Sequence, residues 1–178
     1  TKEKGLFLIE DYIKDDTYLR NGLEPYPISL RGINWIKFLS KYKVTNLNIN
    51  QVLYNHYSIL YNNLEYHLLG NHLLENGFSL LFGAYYFQDE KFYRKANKIL
   101  RTELQEQILN DGAHFELSPM YHQIIFSRLL DCIQLIKLNN VFKKNDLFLF
   151  MEGKAGVMNA WLKNIIYNNG DIPMVNDS

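Results

Sequence analysis

The sequence predicts an all-α protein built of consecutive antiparallel helical hairpins. Apolar residues recur at steps of three or four along several segments, which is the spacing of one face of a helix. Proline, asparagine and glycine mark the ends of those segments, and no segment shows the alternation of a half-buried strand. Because helices joined by short loops pack against their neighbours in the chain, we expect hairpins.

The first forty residues contain one ambiguous segment and one well-marked helix. Residues 1–23 mix charged and apolar side chains and predict either a short helix or an extended lead-in, closed by a turn at Asn21 and Gly22. Pro25 and Pro27 then introduce a helix that carries Arg31. Its apolar positions recur at near-helical spacing: Ile28, Ile33, Ile36 and Leu39.

The next helix is predicted to run from Asn48 to Gly70. Asn48 and Gln51 stand three residues apart, as the N-cap and third residue of a capping box do. Gly70 is the natural end or kink of the segment. The apolar positions between them follow at steps of three or four: Leu53, Tyr57, Leu60, Leu64 and Leu68.

Four more helices are predicted from the same periodicity and from their terminators. The helix after Gly70 has a broad apolar face, and the one that follows it is amphipathic. Turn residues end the second and the last of the four, at 110–112 and 168–170. The predicted ranges are 71–87, 89–109, 119–138 and 146–167.

Composition excludes several classes of protein. The 178 residues are 47% hydrophobic, enough for the core of one domain and unlike a disordered chain. Lys plus Arg and Asp plus Glu both number 19, so the charge balance argues against a dedicated nucleic-acid binder but leaves room for a local basic groove that binds an acidic sugar. No apolar run approaches the ~20 residues of a membrane span.

Two further features concern processing and redox state. The only cysteine, Cys132, lies among leucines and isoleucines, so we expect a core residue rather than a reactive thiol. One cysteine permits no disulfide within the chain, so cysteine usage does not indicate the cellular compartment. The chain begins at Thr1 without a signal-peptide pattern, which predicts a processed or excerpted piece.

A polar cluster opens the predicted helix 71–87. In the stretch 70–77, GNHLLENG, Asn71 and Glu75 are one turn apart and His72 and Glu75 are three residues apart. Side chains at these spacings share one face of a helix. An amide, an imidazole and a carboxylate therefore interrupt an otherwise apolar helix.

A second polar stretch precedes the predicted helix 119–138. In residues 111–122, DGAHFELSPMYH, a polar loop leads to a helix start with Ser118 as N-cap and Pro119 at the first helical position. Tyr121 and His122 then fall in the first turn. Both polar clusters therefore lie at helix beginnings.

These two stretches carry a resemblance to a known family. With EPYPISLR at 24–31 and NWIKF at 34–38, they resemble the helical domain of the heparinase II/III-like polysaccharide lyases, in the same order and over nearly the whole chain. The resemblance implies part of an incomplete (α/α) toroid, with 1–178 a single helical domain of a larger two-domain lyase and 170–178 the exit segment. The resemblance also implies that the family's β domain, which contributes a further histidine, follows outside this chain.

The resemblance also implies a reaction, a partner and a location. Family members cleave uronic-acid polysaccharides, including glycosaminoglycans, by β-elimination, so an acidic polysaccharide is the expected substrate and an extracytoplasmic, periplasmic location is the expected one. No metal or other cofactor is needed for this step. The helical piece alone is expected to be a poor or inactive catalyst, to expose apolar surface where the β domain is missing and to self-associate.

The chemistry accounts for the residue types. Removing the C5 proton beside a carboxylate produces an aci-enolate dianion, which hydrogen-bond donors or positive charge must stabilise. By resemblance, Asn71 and His72 neutralise the uronate carboxylate, Glu75 orients that group and Tyr121 is the acid/base. Tyrosine, with a reference pKa of about 10, needs neighbouring donors or positive charge to act as a base. His122 and the positive end of the helix dipole are such neighbours.

Each of the three polar residues at the start of helix 71–87, and Tyr121, has a simpler interpretation. Asn71 would cap the helix after Gly70. His72 and Glu75 would form an ordinary surface pair. Tyr121 is one of 13 tyrosines, most of which belong to the core or to interfaces. Joint occurrence of the motifs favours the catalytic roles.

Three supporting residues and two other functions stay open. His114 and Glu116 either brace the loop or contact substrate, and Arg31 is either an ion-pair partner or the family's carboxylate clamp. One alternative is a metal-dependent hydrolase in which His72, Glu75, His114 and His122 gather around zinc, although their spacing matches no short zinc motif. The other is a non-catalytic helical module for carbohydrate binding or assembly.

Overall fold

The structure, a computed structural model, describes residues 1–19, 22–68, 70–142 and 146–176. Within these ranges the regular structure is helical, apart from an isolated antiparallel bridge between Ile108 and His114. The prediction of an all-α fold is confirmed. The helices are α1 (Lys2–Leu19), α2 (Pro25–Lys41), α3 (Leu47–Asn62), α4 (Asn71–Phe87), α5 (Glu90–Gln107), α6 (Pro119–Leu138) and α7 (Asp146–Ile165).

Helix α4 is the centre of the fold. Each of its residues from Leu73 to Tyr85 is buried, and it packs on α2, α3, α5 and α6. Helices α2, α4 and α6 contact one another in that order, while α3, α5 and α7 pack beside them as hairpin partners. The two-residue link between α4 and α5 makes this hairpin antiparallel, and Gln107 at the end of α5 bonds to Gly70 before α4.

One tyrosine joins the first three helices of the core. The Tyr57 side chain of α3 leaves no room for a Cβ atom on Gly32 of α2 or Gly83 of α4. The added atom would stand 2.6 Å from the Tyr57 hydroxyl oxygen at Gly32 and 2.6 Å from a ring carbon at Gly83. The Tyr57 hydroxyl accepts a hydrogen bond from Ser79, at 3.2 Å, and burial raises its pKa. Small residues on two helices therefore create the slot that this fully buried ring fills.

Helix α3 differs from its prediction at both ends. It begins after Asn46, whose side chain accepts from the Ile49 backbone N–H, so the capping box at Asn48 is wrong. It ends at Asn62 rather than Gly70, because Asn62 and Asn63 donate to backbone carbonyls one turn back and Glu65 turns towards α4. Leu64 and Leu68 accordingly lie outside the helix.

The structure resolves the ambiguity of the N-terminal segment. Residues Lys2–Leu19 form a helix longer than the sequence predicted. Its stability comes from packing, because Ile9 enters the core and the Phe38 ring lies directly against Gly5. In the predicted turn, Gly22 has φ +76° and Asn21 lies outside the described residues.

The other helices agree closely with their predictions. Helices α4 and α6 have the predicted bounds, whereas α5 and α7 end two residues early. Cys132 is a fully buried core residue, as predicted, and burial raises its pKa. Over the described parts of the chain, no helix has both the length and the apolar character to cross a bilayer.

A substitution at Gly83 tests the Tyr57 slot. Gly83→Ala would push a methyl group into the ring, so we expect a loss of about 1–3 kcal/mol in the free energy of unfolding, measured by urea denaturation. Gly156→Ala is the control, since nothing lies within 4 Å of its added Cβ, and it should gain about 0.5–1 kcal/mol. Equal effects of the two substitutions would contradict this packing.

Candidate active site

The N-terminus of α4 begins with a glycine that no other residue replaces easily. Gly70 is the N-cap, with φ 90° and ψ −150°, a region that only glycine occupies readily. An added Cβ would stand 2.6 Å from Oε1 of Glu116. Asn71 is the first helical residue and caps nothing, so the capping interpretation of Asn71 is wrong. Among the described residues its half-buried amide has no hydrogen-bond partner.

Glu75 forms a buried ion pair with α6. Its Oε1 accepts from Nε of Arg128 at 2.8 Å, and the two side chains are 6% and 18% exposed. Burial raises the pKa of Glu75, while the neighbouring Arg128 opposes the shift. Glu75 is therefore neither a surface residue nor the partner of His72. It links the first turns of α4 to the middle of α6.

His72 has a different carboxylate partner. Its Nδ1 lies 3.3 Å from Oε1 of Glu65, and since a carboxylate accepts, the ring donates from Nδ1. The ring also lies against Tyr26 of α2, with centroids 4.5 Å apart. These two contacts hold the tautomer and the orientation of His72 and leave its Nε2 edge for another group.

Asn76 holds Glu65 in place. Its Nδ2 donates to Oε2 of Glu65 at 2.9 Å and to Oγ of Ser29 at 3.1 Å, and its Oδ1 accepts from the Glu65 backbone N–H. Both Asn76 and Glu65 are buried. The polar network behind His72 therefore reaches α2 and the α3–α4 connection.

Tyr121 lies on the first turn of α6, as predicted. Ser118 is the N-cap, and its Oγ accepts from the Tyr121 backbone N–H at 3.3 Å. The pKa of Tyr26 is raised, mainly by burial and next by the charge of Glu75. Arg128 opposes this shift, and Tyr121 adds a smaller increase. Tyr26 therefore lies within electrostatic range of both predicted clusters.

The first turns of α2 and α4 meet where Tyr26 lies against His72, and the first turn of α6 is near enough for Tyr121 to influence the pKa of Tyr26. Tyr26, His72 and Tyr121 each occupy the first turn of their helix. Helix N-termini carry unpaired N–H groups and partial positive charge, so three of them near one point favour an anionic group. The half-buried Asn71 amide and the exposed edge of His72 lie at the same end.

A hydrogen bond between Gln107 and His114 holds the loop before α6 in place. Gln107 donates from Nε2 to the Gly70 carbonyl at 2.9 Å and to Glu103 at 3.0 Å, so its Oε1 faces Nε2 of His114, 3.1 Å away. His114 therefore donates from Nε2, and it is 1% exposed. Burial lowers the pKa of His114 to about 4, with His122 adding to the shift.

His122 and Arg31 contact helices α7 and α1, respectively. His122 is buried, donates from Nε2 to the Met158 carbonyl at 3.1 Å and lies against Trp161. Burial lowers its pKa, although the hydrogen bond to Met158 opposes that. Arg31 packs its guanidinium 4.5 Å over the Tyr12 ring of α1. Both contacts suit supporting roles.

The zinc alternative does not fit the geometry. Its four residues have separate contacts, His72 with Glu65, Glu75 with Arg128, His114 with Gln107 and His122 with Met158. In the described ranges, no group of three or more His, Cys, Asp or Glu side chains is placed to hold a metal ion. The proposed gathering of these residues around one metal is wrong.

Sequence reasoning missed the residues that position the predicted ones. Tyr26, Glu65, Asn76, Gln107 and Arg128 each contact a predicted residue or its loop from another part of the chain. A partial signal existed for Asn76, a polar residue inside an apolar helix one turn after His72. The others are separated from their partners by up to 53 positions, as Arg128 is from Glu75.

Breaking the buried ion pair should be costly. Arg128→Met leaves the Glu75 carboxylate buried without its partner, and we expect a loss of about 3–5 kcal/mol in the free energy of unfolding by urea denaturation. Lys137→Met breaks an exposed pair with Glu152 and should cost less than about 1 kcal/mol. Adding Glu75→Gln to Arg128→Met should recover part of the loss. A similar cost for both single variants would contradict the buried pair.

His114 should make the fold sensitive to mild acid. Above pH 6.5 the ring is neutral in both folded and unfolded chains. Between pH 6.5 and about 4 the unfolded chain binds a proton that the folded chain does not, so the free energy of unfolding falls as pH falls. His122 adds to the same trend.

The measurement is urea denaturation at pH 7.0 and pH 4.5. His114→Gln should show a smaller difference between the two pH values than the parent chain, and the exposed control His67→Gln should match the parent. An undiminished difference in His114→Gln would remove this residue as the source.

Comparisons with known proteins agree with the fold. The heparinase II/III N-terminus model matches residues 28–178. A heparin-sulfate lyase of Bacteroides stercoris is 34% identical over 84 residues, which is 43% of this chain and 13% of that protein. Heparinase III has a similar solved structure, with a TM-score of 0.76 and 21% identity over 99% of this chain and 30% of that one.

A second solved structure is also similar. The heparan sulfate lyase HepC from Pedobacter heparinus has a TM-score of 0.67 and 20% identity over 89% of this chain and 25% of that one. This chain thus spans less than a third of each of these relatives. Because the family model covers most of its residues, the chain belongs to the heparinase II/III N-terminus family.

Proposed function

We propose that this chain is the helical part of the catalytic domain of a polysaccharide lyase that cleaves an acidic, uronate-containing polysaccharide by β-elimination. One observation supports the proposal most: Tyr26 of α2 lies against His72 of α4, and Tyr121 of α6 is close enough to influence the pKa of Tyr26. Relatives named as heparin and heparan sulfate lyases favour a glycosaminoglycan as the substrate.

The uronate carboxylate binds between Asn71 and His72. The Asn71 amide supplies N–H donors that the described part of the chain does not use. His72 donates Nδ1–H to Glu65, so a protonated ring donates from Nε2 to the substrate while Glu65 balances its charge. The nearby helix N-termini add positive potential. Together these groups stabilise the dianion that forms when the C5 proton leaves.

Tyr121 moves the protons. It removes the proton from C5, the electron pair forms the C4–C5 double bond, and the bond from C4 to the glycosidic oxygen breaks. That oxygen then takes a proton from the tyrosine or from a second acid. The half-buried position of Tyr121 beside helix N-termini supplies the polar surroundings that a tyrosine base needs.

Glu75 acts through Arg128 rather than on the sugar. The buried pair joins α6 to α4 and holds the Arg128 cation where it lowers the pKa of Tyr26, so we expect the distance between His72 and Tyr121 to depend on it. His114, Glu116 and His122 support the loop and the helix that present Tyr121. Arg31 anchors α2 to α1 through Tyr12. Precise placement of this kind is what proton transfer requires.

The active enzyme needs a second wall. In the proposed enzyme the three first turns form one side of a cleft, and the loop before α6 exposes Phe115 and Leu117. We propose that a β domain with a further histidine closes the cleft in the complete protein and excludes water from the reacting sugar. Without that wall, the exposed apolar side chains favour self-association of the helical part.

The test is an assay of the complete gene product, and of this chain alone, on a panel that includes heparan sulfate and alginate. Elimination produces a conjugated, unsaturated uronate that absorbs in the ultraviolet, so absorbance should rise with the complete protein and stay low with the chain alone. New reducing ends without absorbance would indicate hydrolysis and overturn the proposal. Binding without product would favour a non-catalytic carbohydrate-binding module.

Removing one hydroxyl tests Tyr121. In the complete protein, Tyr121→Phe should retain its thermal stability while kcat falls by about 100-fold or more, the usual effect of losing a proton-transfer group. Tyr167→Phe is the matched control, since Tyr167 is exposed near the end of α7, and its kcat should equal the parent value. A near-normal kcat in a stable Tyr121→Phe variant would exclude Tyr121 from the mechanism.

A further inference from the structure

The outer face of α5 carries a basic groove far from the candidate active site. Lys91, Arg94, Lys95 and Lys98 line a groove of about 500 Å³ together with Tyr61 of α3. These four cations occupy positions i, i+3, i+4 and i+7, so they share one face of the helix. The neutral net charge of the chain makes this concentration of four cations unusual.

Most of that positive charge is not neutralised by acidic side chains. In the described structure, none of the three lysines forms a salt bridge, whereas Arg94 pairs with Glu90 at 3.4 Å on the exposed surface. Asp89, the residue before α5, caps the helix by accepting from the Lys91 and Phe92 backbone N–H groups. An exposed pair such as Arg94 with Glu90 is weak, so an anionic ligand can compete for the cation.

Tyr61 lines the groove and contacts Lys95. Nζ of Lys95 lies 5.3 Å from the centroid of the Tyr61 ring, and Lys95 is the one half-buried lysine of the four cations. An aromatic face beside several cations also suits a sugar ring with charged substituents, because the ring packs on the apolar face of the sugar while the cations take its charges.

The length of the groove suits a polymer rather than a single ion. Lys91 and Lys98 are seven residues apart, about 10 Å along the helix axis, which exceeds one sugar ring. The antiparallel α4–α5 hairpin puts Gln107, at the opposite end of α5, beside Gly70 and the candidate active site. Lys98 is about 13 Å from Gln107 along the axis. The groove is therefore separate from the cleft but lies on a helix that leads to it.

We propose that this groove binds an acidic polysaccharide outside the catalytic cleft and holds a long substrate chain against the protein. The inference extends the proposed function, since the polymer is of the same class as the proposed substrate. The lining contains one aromatic ring, already in contact with Lys95, which does not suit the serial base stacking of single-stranded nucleic acid. It contains no aliphatic side chain that would enter a bilayer.

The test compares two triple variants of the chain that lose the same charge. Lys91→Gln, Lys95→Gln and Lys98→Gln remove the groove lysines, while Lys2→Gln, Lys4→Gln and Lys163→Gln remove exposed lysines of α1 and α7. All six side chains lie on helix surfaces and glutamine is a good helix former, so both variants should fold. Thermal denaturation checks this.

Heparan sulfate is the probe, and its dissociation constant is measured at several salt concentrations. The groove variant should bind at least about fivefold more weakly than the parent, with a smaller dependence on salt, because fewer counterions are released. The control variant should bind as the parent does. Equal binding by the groove variant and the parent, or no binding by the parent, would overturn the proposal. Tighter binding of double-stranded DNA or of anionic vesicles than of heparan sulfate would also overturn it.

Separate measurements of binding and of cleavage test this inference and the proposed function independently. If the parent binds heparan sulfate through the groove lysines and the complete protein releases no unsaturated product, the lyase proposal fails and the groove stands. If product forms and the groove variant of the complete protein has the parent KM for long chains, the groove proposal fails and the lyase stands. A raised KM for long chains with an unchanged kcat is the expected result.

Discussion

The ion pair between Glu75 and Arg128 is the constraint on which the candidate site depends. It joins the first turns of α4 to the middle of α6, and both side chains are largely buried. A buried carboxylate is destabilised unless a cation stands close to it, so the two helices can only pack in a register that brings these groups together. That register decides how far Tyr121 lies from His72, and it also brings Arg128 near Tyr26.

Around this pair, carboxylates of the polar network lie near helix N-termini, which carry partial positive charge. The end of the helical layer carries the partly positive N-terminal ends of three helices. Glu65 and Glu116 place carboxylates near α4, but Glu65 is engaged by Asn76 and His72, and Glu116 lies against Gly70. The amide of Asn71 and the Nε2 edge of His72 therefore stay available for the anionic group of the proposed substrate. In the described residues, helix ends rather than strands would supply that proposed site.

The local signals in the sequence predicted the helices well and their partners poorly. Ser118 and Pro119 mark a helix start by chemistry that acts within one turn, so the bounds of α6 follow from the sequence. At α3, Asn46 and Asn48 are both capping residues, and the choice between them depends on which register buries Ile49 and Leu53. Neighbouring helices decide which residues are buried, and the spacing of apolar residues in the sequence gives no information about those neighbours.

The same limit separates the site residues that the sequence indicated from those it missed. Asn71, His72 and Tyr121 stand in motifs, whereas Glu65 and Arg128 acquire their roles only through contacts between distant segments. The zero net charge likewise gave no indication of the lysine cluster on α5, because net charge does not report where charges lie on the surface. At physiological salt, charges act over about 8 Å, so a groove whose three lysines form no salt bridge in the described structure presents local positive charge whatever the total charge is. The helix that carries those lysines ends beside Gly70, and a polymer held along it is directed towards the first turns of α4.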